Sequence, residues 1–450
     1  MPHMEVSLCR GLYDIQTVGD NIPAASVPEN TLHRDNHPSQ SRKMRILQVV
    51  PTYYPAVRYG GPIRSVHGLC AALVRLGHRV EVYTTNVDGP GICDVPLDRP
   101  VDLHGVQVHY FPIGSPRRLY RSAAMKRRLH EAIADFDLVH LHSVYLWPTW
   151  AAARAARAAR IPYIISPRGM LVKSMIRRKS RWLKTAWITL IERRSLAQAA
   201  AVHVTAELEA ANLRALGLRL PPIRCIPNGV DFPDAEPPPP APAVPGTAHA
   251  QPYALFLSRI HWVKGLDRLI DAWRQVPELQ LVIAGPDEGG YRQTLQRLVA
   301  SYGLGDRVQF IGKVGDDDKW ALYRNAMFFV LPSYSENFGN AVAEAMAMGV
   351  AVIVTPQVGI AATVAAAEAG IVTSNDPASL GAACRRLSAD PALRQHMGGN
   401  GECAAKRLFS WPAIASAMEK VYREAIGASA APSGPASGVF AASPAPRRRR

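Results

Sequence analysis

Apolar, β-branched runs recur along this chain with helix-like or loop segments between them, and they carry apolar residues continuously rather than at every second position. Strands of that kind are covered on both faces, which requires a parallel sheet with crossover helices packed above and below it. The first half contributes RILQVV, RVEVYTT, VQVHYF, DLVHLH, YIIS, AVHVTA and RCIPN. The second repeats the plan with YALFLS, LQLVIAG, RVQFIG, FFVLPS, VAVIVT and GIVTS. Between the two series lies DFPDAEPPPPAPAVPGTAHAQP, proline-dense and non-helical. The expected fold is therefore α/β, with two doubly wound, Rossmann-like domains at residues 44–230 and 253–410 facing each other across a cleft and joined by a linker at 231–252. Residues 1–43 are polar and irregular and read as a disordered leader. The stretch 428–450, rich in Ala, Ser and Pro and closing on Arg447 to Arg450, reads as a disordered basic tail.

Several classes drop out on composition. No apolar run reaches the ~18 residues of a membrane span. The N-terminus, MPHMEVSLCRGLYD, has no basic start followed by an apolar core, so a secretion signal is not expected and a cytoplasmic location is. The cysteines are scattered without a C-x-x-C, which argues against a zinc or disulfide framework. A net charge of +16 favours an anionic partner, whether nucleic acid, an acidic membrane surface or a diphosphate. No nucleic-acid module accompanies it, so nucleic acid is not an expected partner.

The segment Leu331 to Pro356, LPSYSENFGNAVAEAMAMGVAVIVTP, is where chemistry concentrates. A loop carrying Glu336 closes at Gly339, a helix runs through Glu344 to Met348, Gly349 stops it, and a strand follows. A helix start offers unpaired amides and a partial positive charge, and Gly339 lets the backbone approach closely, so an anion is the expected ligand. Glu336 and Glu344 are too far apart to be helix neighbours and are placed to accept from different hydroxyls. Glu344 sits among small apolar residues, where an acid needs a partner.

Two further sites stand at strand ends, where open α/β sheets bind ligands. Gly60 and Gly61 follow RILQVVP and precede a helix, without forming a dinucleotide-binding fingerprint. DLVHLHS ends in His142, with His140 on the same face; such a histidine either reaches the cleft or is buried and hydrogen-bonded. In the second half, YALFLS delivers Arg259 and Lys264, a pair suited to a diphosphate. Asp316, Asp317 and Asp318 precede a helix, where acids cap and complement the dipole, and a metal is not expected there.

At Glu336 and Glu344 the chain resembles the retaining glycosyltransferases of family 4, which have the two-domain GT-B fold. The carboxylates match that family's E-x7-E signature and GVAVIVTP matches its next strand; the resemblance extends over about Met44 to Tyr422. SRIHWVKGLDRLIDA is similar to the R-x-x-x-x-K-G segment, with Arg259 and Lys264 in the basic positions. YIISPRGML is similar to SPxGML, which makes Arg168 an acceptor-side candidate. The resemblance implies transfer of a sugar from a nucleoside diphosphate sugar to an acceptor hydroxyl with retention, needing no metal or other cofactor. It assigns Arg259, Lys264 and the helix start to the leaving diphosphate, Glu336 to the donor sugar, Glu344 to the ribose and His142 to the transferred sugar. Gly60, Gly61, Gly285, Val314, Asn337, Phe338, Gly339 and Asn340 fall at donor-binding positions. It also implies a C-terminal helix, 411–427, that crosses back onto the first domain.

A glycan or lipid-linked acceptor, in exopolysaccharide or lipopolysaccharide synthesis, is the setting such relatives suggest. In that setting the stretch Arg168 to Arg194 matters, because Leu171, Met175, Ile176, Trp182, Leu183 and Trp187 interleave with lysines and arginines as in an interfacial helix on an anionic inner leaflet. The alternative readings are a sugar-nucleotide epimerase of the same fold and a basic nucleic-acid-binding protein.

Overall fold

The computed structural model describes residues 42–56, 60–173, 181–233, 252–277 and 279–430. Most of the expected leader and linker, the tail beyond 430, Met175, Ile176 and the side chain of Leu183 lie outside the described residues.

The first domain holds β1 (Arg45–Val49), β2 (Arg79–Thr85), β3 (Val87–Asp88), β4 (Gly91–Ile92), β5 (Val101–Leu103), β6 (Val106–Phe111), β7 (Leu138–His142), β8 (Tyr163–Ser166), β9 (Ala201–Val204) and β10 (Ile223–Cys225). Eight of them form one sheet in the order β10-β9-β8-β7-β1-β2-β6-β5. Every pairing is parallel except β5 with β6, and β3 pairs β4 in a separate antiparallel hairpin. All of β7, β8 and β9 is buried, as continuous apolarity demands. The order reverses at β1, so Gly60 and Gly61, which follow β1, and His142, which ends β7, belong to the two strands that flank the switch point.

The second domain holds β11 (Tyr253–Leu257), β12 (Gln280–Ala284), β13 (Val308–Gly312), β14 (Phe328–Leu331), β15 (Val352–Val354) and β16 (Gly370–Val372). They pair in parallel in the order β13-β12-β11-β14-β15-β16, which is the Rossmann order, with its switch point between β11 and β14. Both halves therefore aim strand ends at a common region. The architecture is α/β with two Rossmann-like domains.

The chain then returns. Helix Pro391–Phe409 belongs to the second domain, and Val230 N donates to Phe409 O (2.9 Å) where helix Trp411–Ala430 begins. That last helix presents Ile414, Ala415, Met418, Val421 and Tyr422 along one face, a 3-4 spacing that makes an apolar stripe. The stripe packs into the same core as Met44, Ile46, Val66 and Leu69 of the first domain. At about 1.5–3 kcal/mol for each large apolar side chain, this docking is a substantial share of that domain's stability. The helix runs three residues beyond the expected boundary at 427. Trp411 lies against Gly68 and Gly229, where any Cβ would overlap the indole, and its Nε1 donates to Asp231 (2.7 Å). Among the described residues no helix is long and apolar enough to cross a membrane.

Candidate active site

The second domain builds its part of the site where β11 and β14 end side by side. After β11 the chain makes a turn at Trp262–Lys264, and Gly265, at φ 70°, starts the next helix. The Pro332 carbonyl occupies the space a Cβ on Gly265 would need, so the turn sits directly on the loop after β14. That contact brings Lys264 and Glu336 together: Nζ is hydrogen-bonded to Oε2, with the side chains only 10% and 20% exposed. Glu336 is fixed through its backbone, its N–H donating to Gln357 O (3.0 Å) and its carbonyl accepting from Gly359 N (3.0 Å).

Arg259 does not join this pair. The loop after β11 bridges to the loop after β12 at Ile260 and Asp287, which sets Glu288 beside Arg259, and its Nη1 donates to Glu288 Oε2 at 2.7 Å near the surface. The expected two-base clamp is thus Lys264 alone in this structure, with Arg259 held by another carboxylate. At Gly285 (φ 139°) a Cβ would overlap the Ser258 carbonyl oxygen, so no side chain fits there. Val314 packs partly buried on the second core, which leaves backbone rather than side chain for a ligand.

Gly339 (φ 107°) opens helix Asn340–Ala347. Glu344, the acid that needed a partner, has two: Lys319 Nζ donates to Oε1 (2.8 Å) and Tyr323 Oη to Oε2 (3.0 Å). Burial, then the neighbouring carboxylate, holds the Tyr323 phenol well above its ordinary range. Phe338 differs from its donor-binding expectation. Its ring is 3% exposed and packs edge-on against Phe409, because an apolar side chain in this loop is the one that anchors it to the core. Asp316 and Asp317 begin helix Asp316–Asn325 after Gly315.

The remaining loop residues reach across to the first domain. Asn337 Nδ2 donates to Thr205 Oγ1 (2.8 Å) and Glu209 Oε2 (3.0 Å), and Gly169 passes so close that a Cβ would lie 2.8 Å from Asn337. Asn340 Nδ2 donates to Ser65 Oγ (3.1 Å), its Oδ1 accepts from Asn228 Nδ2 (2.9 Å), and a Cβ on Gly61 would lie 2.7 Å from it. Gly60, at φ 69°, caps the helix beginning at Gly61. The glycine turn of one domain therefore faces the helix start of the other.

His142 is fully buried and does not line an open cleft. Its ring lies 4.2 Å from that of His140, confirming a shared face. Its Nε2 bonds Gln48 Oε1 (2.7 Å), and its Nδ1 meets Arg168 Nη2 (3.2 Å). Burial, reinforced by His140 and Arg168, pushes its pKa well below the ordinary value, so the ring is neutral. Arg168, a non-glycine residue at φ 56°, turns its guanidinium inward and donates to Asn228 Oδ1 (2.8 Å). The candidate that approaches the second domain is thus Arg168, with His142 behind it. A cavity of about 270 Å³ opens nearby, lined in part by Arg64, His67, Lys319 and Trp320. It shares Lys319 with Glu344 but lacks the Lys264–Glu336 pair.

Sequence reasoning passed over Glu209, Asn228, Gln48 and Lys319. Glu209 follows Thr205 at the start of helix Glu207–Arg214 and Asn228 stands in a Pro-Asn-Gly stretch, residue types ordinary at caps and in loops. Gln48 did leave a signal, a polar residue inside an apolar strand.

Two family models match the chain: "Glycosyl transferase 4-like domain" over residues 60–229 and "Glycosyl transferases group 1" over residues 241–403. The D-inositol 3-phosphate glycosyltransferase of Xylanimonas cellulosilytica is 29% identical over 400 residues, 81% of this chain and 92% of that protein. Sucrose-phosphate synthase from Thermosynechococcus elongatus superposes with a TM-score of 0.68 at 26% identity, covering 86% of this chain and all of that one (100%). Anabaena HepE in complex with UDP-glucose superposes with a TM-score of 0.63 at 20% identity, over 84% of this chain and 100% of that one, a likeness of fold.

Proposed function

The chain is a glycosyltransferase of the GT-B fold, and on that premise we propose that it moves a hexose from a nucleoside diphosphate sugar to an acceptor hydroxyl with retention, as a member of family 4. The observation that carries this reading is the largely buried Lys264–Glu336 pair at the β11/β14 switch point, three residues before the glycine that opens helix Asn340–Ala347.

The bond between the anomeric carbon and the diphosphate oxygen breaks, and charge accumulates on that oxygen. Lys264 and the first amides of the helix stand where that charge develops, the arrangement that lowers such a barrier most. A metal has no part in this proposal. Glu336 holds Lys264 with one oxygen and offers the other to the donor sugar, and Glu344, fixed by Lys319 and Tyr323, accepts from the ribose. The acceptor oxygen forms the new bond on the face the diphosphate leaves, and its proton passes to the departing phosphate. UDP-glucose, bound by the fold relative from Anabaena, is the first donor to try.

For the acceptor we propose a glycan or lipid-linked hydroxyl in surface-polysaccharide assembly. The support is a basic segment with Trp182 80% and Leu190 77% exposed, the makings of contact with an anionic inner leaflet. The decisive experiment screens nucleotide sugars for hydrolysis, takes the active donor, and compares Lys264→Ala and Glu336→Ala. Each is expected to lose roughly 10²–10³-fold in kcat. Near-wild-type turnover in either variant defeats the assignment, and interconversion of the donor without any acceptor would identify an epimerase instead.

A further inference from the structure

We infer that Tyr422, carried by the C-terminal helix, is a positioning residue for the site: its hydroxyl fixes which way the Gln48 amide faces, and through that amide the tautomer of His142 that receives Arg168. The inference rests on the proposed function only for its kinetic readout, with Arg168 as the acceptor-side candidate that the family resemblance implies.

The hydrogen bonds admit one assignment of protons. His203 Nε2 lies 2.9 Å from the Ile226 carbonyl, which can only accept, so Nε2 carries the proton and Nδ1 a lone pair. Ser166 Oγ must therefore donate to His203 Nδ1 (2.7 Å), and its oxygen accepts from His140 Nε2 (2.7 Å). His140 Nδ1 is then an acceptor, and the Tyr422 hydroxyl donates to it (2.7 Å). The Tyr422 oxygen accepts from Gln48 Nε2 (3.1 Å), which points Gln48 Oε1 at His142 Nε2 (2.7 Å). His142 thus carries its proton on Nε2 and presents a lone pair at Nδ1 to Arg168 Nη2 (3.2 Å). The other arm of Arg168 donates to Asn228, which donates to Asn340 of the second domain. The sequence of donors begins at Arg168 and ends on a main-chain carbonyl.

This assignment requires neutral imidazoles. Burial lowers His140 and His142 far below the ordinary histidine value and His203 to about 3. Gln48, His140, His142 and Tyr422 are each 0% exposed, so no solvent substitutes for a missing partner. The weak point is the amide, whose two ends have the same shape. Without the tyrosine hydroxyl Gln48 Nε2 has no acceptor, and only the guanidinium at His142 Nδ1 (Arg168 Nη2 3.2 Å, Nε 3.4 Å) still favours the amide as it stands. A turned amide would donate to His142 Nε2, move that ring's proton to Nδ1, and set a donor against the guanidinium. Arg168 would lose its seat.

The test is long-range proton–nitrogen correlation NMR on full-length protein labelled at histidine, with kinetics on the same samples. In wild type His140, His142 and His203 are expected as Nε2–H tautomers at neutral pH. Tyr422→Phe, which keeps the ring, should move His142 toward the Nδ1–H form and lower kcat by about 10- to 100-fold, with donor KM changed less than about twofold. Gln48→Leu, which removes the acceptor without supplying a donor, should lower kcat similarly while His142, still facing Arg168, keeps its proton on Nε2. An Nδ1–H or doubly protonated His142 in wild type overturns the inference, as does an unchanged His142 spectrum in Tyr422→Phe. Should Tyr422→Phe fail to fold, the wild-type spectrum and Gln48→Leu still decide. Should no nucleotide sugar be turned over, the proposed function fails, while the tautomer shift continues to test the wiring by itself.

Discussion

Replacing Glu209 by Gln tests how strongly the first domain's loops depend on one buried anion. Its carboxylate, 3% exposed, receives Gly169 N on Oε1 (2.6 Å), and Thr205 N (2.9 Å), Thr205 Oγ1 (3.1 Å) and Asn337 Nδ2 (3.0 Å) on Oε2. A glutamine of the same shape serves best with its oxygen toward the three donors and its NH₂ against Gly169 N. One charge-assisted bond is then lost, about 1.5–3 kcal/mol, and the others weaken to neutral strength, roughly 0.5 kcal/mol each. The sum is about 3–4.5 kcal/mol, a large fraction of a domain's stability. Urea unfolding followed by fluorescence reads it. A cycle with Asn337→Ala isolates the bond that spans the domains, for which a coupling of about 1 kcal/mol is expected. A loss under ~1 kcal/mol for Glu209→Gln would mean that water replaces these donors and that the carboxylate does not organise the loops.

Acid should unfold this protein early. His140, His142 and His203 are buried and held below the ordinary 6.5, the last to about 3, so the unfolded chain binds protons the fold refuses. Their contribution is intact above about pH 6.5 and shrinks as pH falls toward 4, by roughly 1.4 kcal/mol per unit for each ring that stays neutral; urea midpoints equal at pH 7.5 and 5.5 would contradict this. Gly285→Ala places a methyl in the Ser258 carbonyl at a φ that alanine avoids, with an expected cost of about 2–5 kcal/mol in the same assay, and an unchanged midpoint would show that the strand ends separate easily. Trp182→Glu with Leu190→Glu should release the protein from anionic vesicles at low salt while leaving its melting temperature unchanged, and equal co-sedimentation with neutral vesicles would remove the membrane proposal.

The parallel strands were legible because both faces of each are covered, so apolarity runs on unbroken, as in LVHLH and FFVL. The hairpin β3–β4 and the edge strand β5 were not, being two and three residues long and partly polar or exposed. At the site, glycines marked the turns at 60, 265 and 339 because only positive φ fits there. What escaped was pairing over distance. Arg259 and Lys264 look alike in sequence, yet Glu288 claims one and Glu336 the other. Gln48 meets Tyr422 across 374 positions, and no local pattern encodes such a partner.

The C-terminal helix belongs covalently to one half and structurally to the other. A protease cut between Phe232 and Tyr253 would consequently yield two pieces that stay together, since the C-terminal piece keeps the helix that completes the first domain's hydrophobic interior. Separately expressed halves, divided at the same place, would need each other to mature: the first would lack a wall, and the second would carry an orphaned greasy arm until they met.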